Sequence, residues 1–247
     1  MLSSYPRSGS TWTRFLLYAL IADAPATFPA VTKDVPLVGK HREAASLLVD
    51  GGRLIKTHEP FMERRYRRVV HIVRDPRDMA ISYWYFMLRI GKIRPRPDDN
   101  LEESFDRFLD ALIAGRIDGF TNWQTHLLSY LAAADKYPDR LIRLRFEDMR
   151  ADTAGNLQLI GRFLGLDIPD EQAALAVERA SLERMREAEE NVIATESTKF
   201  AVQGRKTGLR VVRSGQVGGY RSQMTEAQIA KFEKFSKGML LMGYELD

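Results

Sequence analysis

Leu2-Ser3-Ser4-Tyr5-Pro6-Arg7-Ser8-Gly9-Ser10-Thr11-Trp12 decides how the rest of this chain is read. A short apolar segment enters a turn and leaves it through Thr11–Ala22, where Trp12, Phe15, Leu16, Ala19 and Leu20 fall on one helical stripe. Strand, glycine turn and amphipathic helix in that order form a seat for an anion. Gly9 lets the backbone turn tightly and approach a ligand closely. Ser8, Ser10 and Thr11 supply hydroxyl donors, and the first helical amides and the helix dipole favour negative charge at the same place. Arg7 adds a permanent charge with up to five donors. The competing reading is a plain turn with a Ser/Thr cap; the anion seat is favoured. The Walker pattern GxxxxGK[ST] is absent, and with it the lysine-plus-magnesium arrangement of ATP hydrolysis.

Outward from that unit, Leu2–Tyr5, Arg53–Thr57, Arg68–Val73 and Arg140–Phe146 read as short buried parallel strands. Helical periodicity covers Thr11–Ala22, Pro76–Leu88, Leu101–Ala114, Thr121–Ala134, Thr153–Leu164, Asp170–Ala180 and Thr225–Met242, with Thr225 as a helix start. The alternation predicts one α/β domain over residues 1–247, a mostly parallel sheet flanked by helices, with ligands beyond the carboxyl ends of the strands. Arg89–Asn100 and Glu190–Gly218 resist assignment and are expected to be long loops acting as lids.

The 247 residues carry 37 basic and 33 acidic side chains, a net charge of +4, too small an excess to imply nucleic acid. There is no cysteine, which removes disulfides and thiolate chemistry and fits the cytoplasm. His41, His58, His71 and His126 show no zinc spacing, so no metal is expected. No basic segment followed by an apolar run opens the chain, so no secretory leader is expected, and no apolar stretch is long enough for a membrane span.

Three more segments carry chemistry. In Val73-Arg74-Asp75-Pro76-Arg77-Asp78, Asp75 and Pro76 suit a helix start, and Arg74 sits at a strand end. Ser82 follows about two turns later. The pair either grips one phosphate, or Arg74 salt-bridges Asp75 or Asp78 and Ser82 merely packs. Lys56-Thr57-His58 ends a strand, so Lys56 and His58 share a face. His58 has the pKa of a general base, although alone it reads equally as a structural histidine. Arg213-Ser214-Gly215-Gln216-Val217-Gly218 is a flexible basic loop or an anion nest.

These segments, in this order, resemble the cytosolic sulfotransferase family. Tyr5–Trp12 is similar to Tyr-Pro-Lys-Ser-Gly-Thr-Thr-Trp, with Arg7 in place of lysine and Ser10 in place of threonine. Arg74–Tyr83 matches Arg-[Asn/Asp]-Pro-[Lys/Arg]-Asp-x-x-x-Ser-Tyr, and Lys56–Pro60 matches Lys-Thr-His-x-Pro. Arg213–Arg221 resembles Arg-Lys-Gly-x-x-Gly-x-Trp-Lys, with Ser214 replacing the lysine. The resemblance implies a donor, 3′-phosphoadenosine 5′-phosphosulfate, and a small hydroxyl acceptor. It implies that Arg7, Ser8, Gly9, Ser10 and Thr11 hold the 5′-phosphosulfate and that Trp12 stacks on adenine. Arg74, Ser82, Arg213, Ser214 and Gly215 would hold the 3′-phosphate. His58 would be the base, and Lys56 and Arg7 would contact the reacting group. Ser181-Leu182 and Phe146 resemble the adenosine-pocket segments, Leu182 standing for a stacking Phe and Phe146 for a Tyr. The alternative is a small-molecule or nucleoside kinase, which shares a strand–loop–helix phosphate site. The family's mammalian dimer segment matches only at Thr225, so no oligomeric state is implied.

Overall fold

The computed structural model describes residues 1–40, 44–48, 51–63, 66–94 and 100–246. Its centre is a four-stranded sheet in the order β2-β1-β3-β4, formed by β1 (Leu2–Ser4), β2 (Lys56–Thr57), β3 (Val69–Val73) and β4 (Leu141–Arg145). All pairs are parallel, with Leu2 beside both Lys56 and Val70, and Val69–Val73 beside Leu141–Arg145. Every residue of β3 is buried, as a run of Val and Ile in a parallel sheet requires.

The first layer packs α1 (Ser10–Ile21) on the sheet, with Phe15, Leu16, Leu17 and Leu20 against Leu2, Val70, Ile72 and Leu144. The same layer holds α2 (Phe28–Asp34), α6 (Phe146–Ala151), α7 (Thr153–Leu164), α8 (Asp170–Arg179) and α9 (Leu182–Thr195). On the other face α3 (Pro76–Arg89), α4 (Leu101–Ile113) and α5 (Trp123–Lys136) enclose a second core with Tyr5, Val73, Trp123, Phe232 and Phe235.

Four expectations need correction. The second strand is not Arg53–Thr57; only Lys56 and Thr57 pair, because β1 offers three residues and the other edge is met by Pro36–Val38. Phe146 does not end the fourth strand but opens α6. Glu190–Gly218 is not one long loop. It holds the end of α9 and all of α10 (Lys199–Thr207), capped by Thr198 and closed by the left-handed Gly208. The helix expected over Thr225–Met242 breaks into α11 (Glu226–Ala230), a 3-10 stretch Lys231–Phe235 and α12 (Ser236–Leu241). Phe232 and Phe235 are both buried, and a three-residue spacing points both rings one way when the turn tightens. Thr225 does cap its helix, in a reciprocal box with Gln228. His41 and part of Arg89–Asn100 lie outside the described residues.

Candidate active site

All four strands end at one cavity of about 830 Å³. β1 delivers the turn Tyr5–Gly9. Arg7 (φ 67°) and Gly9 (φ 105°) take left-handed backbone there, a strain accepted at Arg7 by a non-glycine residue. Gly9 is required sterically as well, since a Cβ would stand 2.5 Å from the Phe146 ring. No side chain caps α1 at Gly9, and the first helical bond is Thr13 N–H to the Gly9 carbonyl at 3.0 Å. The amides before it are left for an outside acceptor. Ser10, Thr11 and Trp12 line the cavity, whereas the Ser8 hydroxyl is buried without a hydrogen-bond partner among the described residues.

Arg7 donates from Nε to the Ser82 hydroxyl (3.2 Å) and from Nη2 to the Val211 carbonyl (3.0 Å), and its guanidinium lies 4.8 Å from the Phe86 ring centroid. Residues 75 positions apart in sequence are thus joined at the cavity. Arg74, only 6% exposed, donates to the Gln216 carbonyl (2.8 Å) over the face of Phe146 (4.4 Å). It pairs with neither neighbouring carboxylate. Asp75 caps α3 and holds Arg77 (2.8 Å), while Asp78 accepts from the amides of Gly218 (2.7 Å) and Tyr220 (2.9 Å). Asp78 therefore fastens the segment carrying Arg213, Ser214 and Gly215, all in the cavity wall.

A further carboxylate fastens the same segment from below. Glu189 is fully buried; it accepts from the amides of Val211 (2.7 Å) and Val212 (2.9 Å) and pairs with Arg89 (3.4 Å). Nothing in the sequence marks Glu189, because a charged residue in a helix reads as surface unless its partners are known. Arg14, Arg150, Phe28, Phe200 and Asp118 also line the cavity without having been singled out. Arg14 could have been found as the residue one helical turn beyond Ser10, on the same side of α1.

Trp12 meets Phe146 edge-on at 5.5 Å, with Arg150 over its ring (5.4 Å) and Leu182 in the same cavity. Ser181 stands outside that lining; its hydroxyl accepts from the Arg184 amide and caps α9.

Lys56 and His58 both face the cavity, as their two-residue spacing requires, with Thr57 buried between them. His58 Nδ1 lies 2.7 Å from the Ser4 carbonyl. A carbonyl only accepts, so Nδ1 carries the proton and Nε2 is left bare. Burial, then the charge of Lys56, holds the His58 pKa well below its ordinary value, so the ring is neutral. Burial, then Arg14 and Arg7, holds Lys56 down to about 7. Burial, then the like charge of Arg74, lowers Arg7 to about 10. Arg7 stays charged and Lys56 is partly neutral near pH 7, so an anion bound among them offsets their repulsion and restores the proton on Lys56. His71 and His126 are buried in the core, ringed by Tyr130 and Tyr5.

With this geometry in hand, the comparisons define the class. A family described as "Sulfotransferase domain" matches residues 1–243. Sulfotransferase 1 family member D1 of Mus musculus is 27% identical over 95% of this chain and 80% of its own. Cytosolic sulfotransferase 17 of Arabidopsis thaliana is 25% identical over 93% of this chain and 70% of its own. Among solved structures, retinol dehydratase in a complex with retinol and PAP superposes with TM-score 0.71 at 18% identity, covering 96% of this chain and 80% of that one. A mouse sulfotransferase complexed with PAP gives 0.65 at 22%, covering 96% and 83%. The chain belongs to the sulfotransferase-domain family. It is an enzyme of sulfuryl transfer.

Proposed function

We propose that this chain moves the sulfuryl group of 3′-phosphoadenosine 5′-phosphosulfate onto a hydroxyl of a small acceptor, with His58 as the general base. One observation carries the reading. A neutral imidazole with its proton committed to Ser4 stands in the same cavity as Lys56 and an uncapped helix start.

His58 Nε2 takes the acceptor's hydroxyl proton while the acceptor oxygen forms its bond to sulfur. The bond from sulfur to the 5′-phosphate oxygen breaks, and adenosine 3′,5′-bisphosphate leaves. Lys56 and Arg7 balance charge on the sulfuryl oxygens and the departing phosphate, and the α1 amides with Ser10 and Thr11 hold that phosphate. Arg74, Ser82 and Arg213 with the Ser214–Gly215 backbone hold the 3′-phosphate, the group that separates this donor from ATP. Trp12 stacks on adenine, and Phe146 and Leu182 line its pocket. The fit is supported by the donor set: guanidinium, ammonium, hydroxyl and amide groups without a capping carboxylate at the helix start. Positioning and electrostatics supply most of the acceleration, with no covalent intermediate on the protein. The reaction is proposed for the cytoplasm; among the described residues no helix is long and apolar enough to cross a membrane.

The test is His58→Ala. Turnover with labelled donor falls by at least about 100-fold, the usual worth of general-base catalysis, while adenosine 3′,5′-bisphosphate binds within about threefold of wild type. Retained turnover refutes the base; absent nucleotide binding in the wild type refutes the whole reading.

A further inference from the structure

Among the described residues, Arg14 and Arg150 are the cavity arginines that the sulfuryl-transfer reading leaves unused; Arg150 lies over Trp12, and Arg14 reaches toward α2. Arg14 lies four residues beyond Ser10 on α1, so its Cα stands about 6 Å further along the helix than the amides that receive the phosphate. Nη2 donates to the Val31 carbonyl (2.8 Å), which turns the side chain toward α2. Residues Phe28, Pro29 and Lys33 of α2, with Phe200 packed on Phe28 at 5.3 Å, build a wall of the cavity. That wall is distinct from the cluster of Trp12, Phe146 and Arg150.

Arg14 has no carboxylate partner among the described residues, and its Nε is buried with no hydrogen bond. Two carboxylates line the cavity. Asp118 is engaged by Lys92 and by the Tyr83 hydroxyl, and Glu196 forms no ion pair with Arg14 or Lys33 among the described residues. The donor brings about four negative charges, two on the 3′-phosphate and two on the phosphosulfate. Arg7, Lys56, Arg74 and Arg213 meet them, while Arg150 lies over Trp12. Arg14 and Lys33 remain on the acceptor side, facing an aromatic wall. A partly desolvated guanidinium without a counter-charge is costly unless a ligand supplies one.

We propose that Arg14 is an acceptor-recognition residue and that the acceptor is an aromatic or apolar hydroxyl compound bearing its own acidic group. A carboxylate on Arg14 would fix the acceptor's far end while its hydroxyl reaches His58, and the aromatic wall would cover the span between. The proposal rests on the sulfuryl-transfer reading and narrows its substrate.

The experiment pairs acids with neutral isosteres: 4-hydroxyphenylacetate and 3-(4-hydroxyphenyl)propanoate against their amides, with labelled donor. In the wild type, kcat/KM favours the better acid over its amide by about tenfold or more, the worth of a charge-assisted pair. Arg14→Gln collapses that ratio toward one, and Arg14→Lys restores part of it. Affinity for adenosine 3′,5′-bisphosphate changes less than about threefold in both variants, because Arg14 lies outside the phosphate contacts. Acids no better than amides in the wild type, including the case where neither reacts, overturn the proposal. So does an Arg14→Gln variant that lowers both alike and keeps the ratio, which would assign Arg14 to the donor or to the fold. Failure to bind the bisphosphate at all would instead strike the sulfuryl-transfer reading.

Discussion

Replacing Glu189 by Gln tests whether a buried carboxylate organises the proposed nucleotide clamp. The side chain is fully buried, with one oxygen on each of the amides of Val211 (2.7 Å) and Val212 (2.9 Å) and Arg89 at 3.4 Å. Arg89 also donates to the carbonyls of Leu209 (3.0 Å) and Phe200 (3.3 Å), so the pair joins α3, α9, α10 and the clamp. Gln keeps the shape, but one of its two terminal atoms becomes a donor facing an amide donor. That orphans a buried N–H at about 1–3 kcal/mol. Arg89 loses its counter-charge at the same time, and breaking a buried pair costs about 3–5 kcal/mol. The two losses share partners and do not add, so a total near 3–5 kcal/mol is expected. In a chain of this size that lowers Tm by on the order of 10 °C. The Val211 carbonyl receives Arg7, so nucleotide affinity falls as well. Scanning calorimetry and titration with adenosine 3′,5′-bisphosphate read both effects, and saturating nucleotide recovers part of the lost Tm by mass action. Glu190→Gln is the control, because Glu190 pairs with Arg210 at the surface, where about 0–1 kcal/mol is at stake. A Glu189→Gln protein that melts within 2 °C of wild type, by the same size scaling, and binds nucleotide as tightly would refute the reasoning.

Three other outcomes follow from the same geometry. At pH 8 Lys56 is largely neutral in the free protein, since its pKa is held to about 7, so binding the sulfated donor draws a proton onto it; calorimetry in buffers of different ionisation enthalpy detects uptake that Lys56→Met abolishes. His126 is held neutral by burial, its pKa lowered to about 3, so the unfolded chain binds the extra proton below pH 6.5 and stability falls with acid from 6.5 toward 3, by roughly 2–3 kcal/mol between pH 6.5 and 4.5. His126→Gln removes that share of the acid slope and leaves the shares of His58 and His71, also held neutral by burial; an unchanged slope counts against the burial argument. Trp12→Ala weakens adenosine 3′,5′-bisphosphate by about 1–3 kcal/mol if the indole stacks on the base; unchanged affinity removes Trp12 from the adenine site.

Local chemistry is what the sequence shows directly. The strand, turn and helix around Gly9 are legible because their periods and the glycine are encoded within about twenty residues, and Asp75 and Thr225 announce their helices by capping alone. The pairing of Lys56 with His58 is legible for the same reason, since two residues along an extended chain share a face whatever surrounds them. The parallel sheet follows from the alternation of elements.

Elements whose form depends on distant partners are not legible in this way. β2 is only two residues long because β1 limits it, and the 3-10 stretch at Lys231–Phe235 exists because two rings must enter the same core. Glu190–Gly218 looks like a loop until α9 is seen to bury Met185, Glu189 and Val192 on one face.

By itself, then, the amino-acid order determined which residues could hold phosphate, take a proton and start a helix, because those properties reside in side chains and near neighbours. Only the tertiary structure decided that Arg7 meets Ser82 and Val211, that Arg74 turns from its adjacent aspartates to Gln216, and that Glu189 is a buried clamp and not a surface charge. Those choices are made by burial and by contacts across 22 to 204 residues of chain, where the energy of a charge depends on what the fold places beside it.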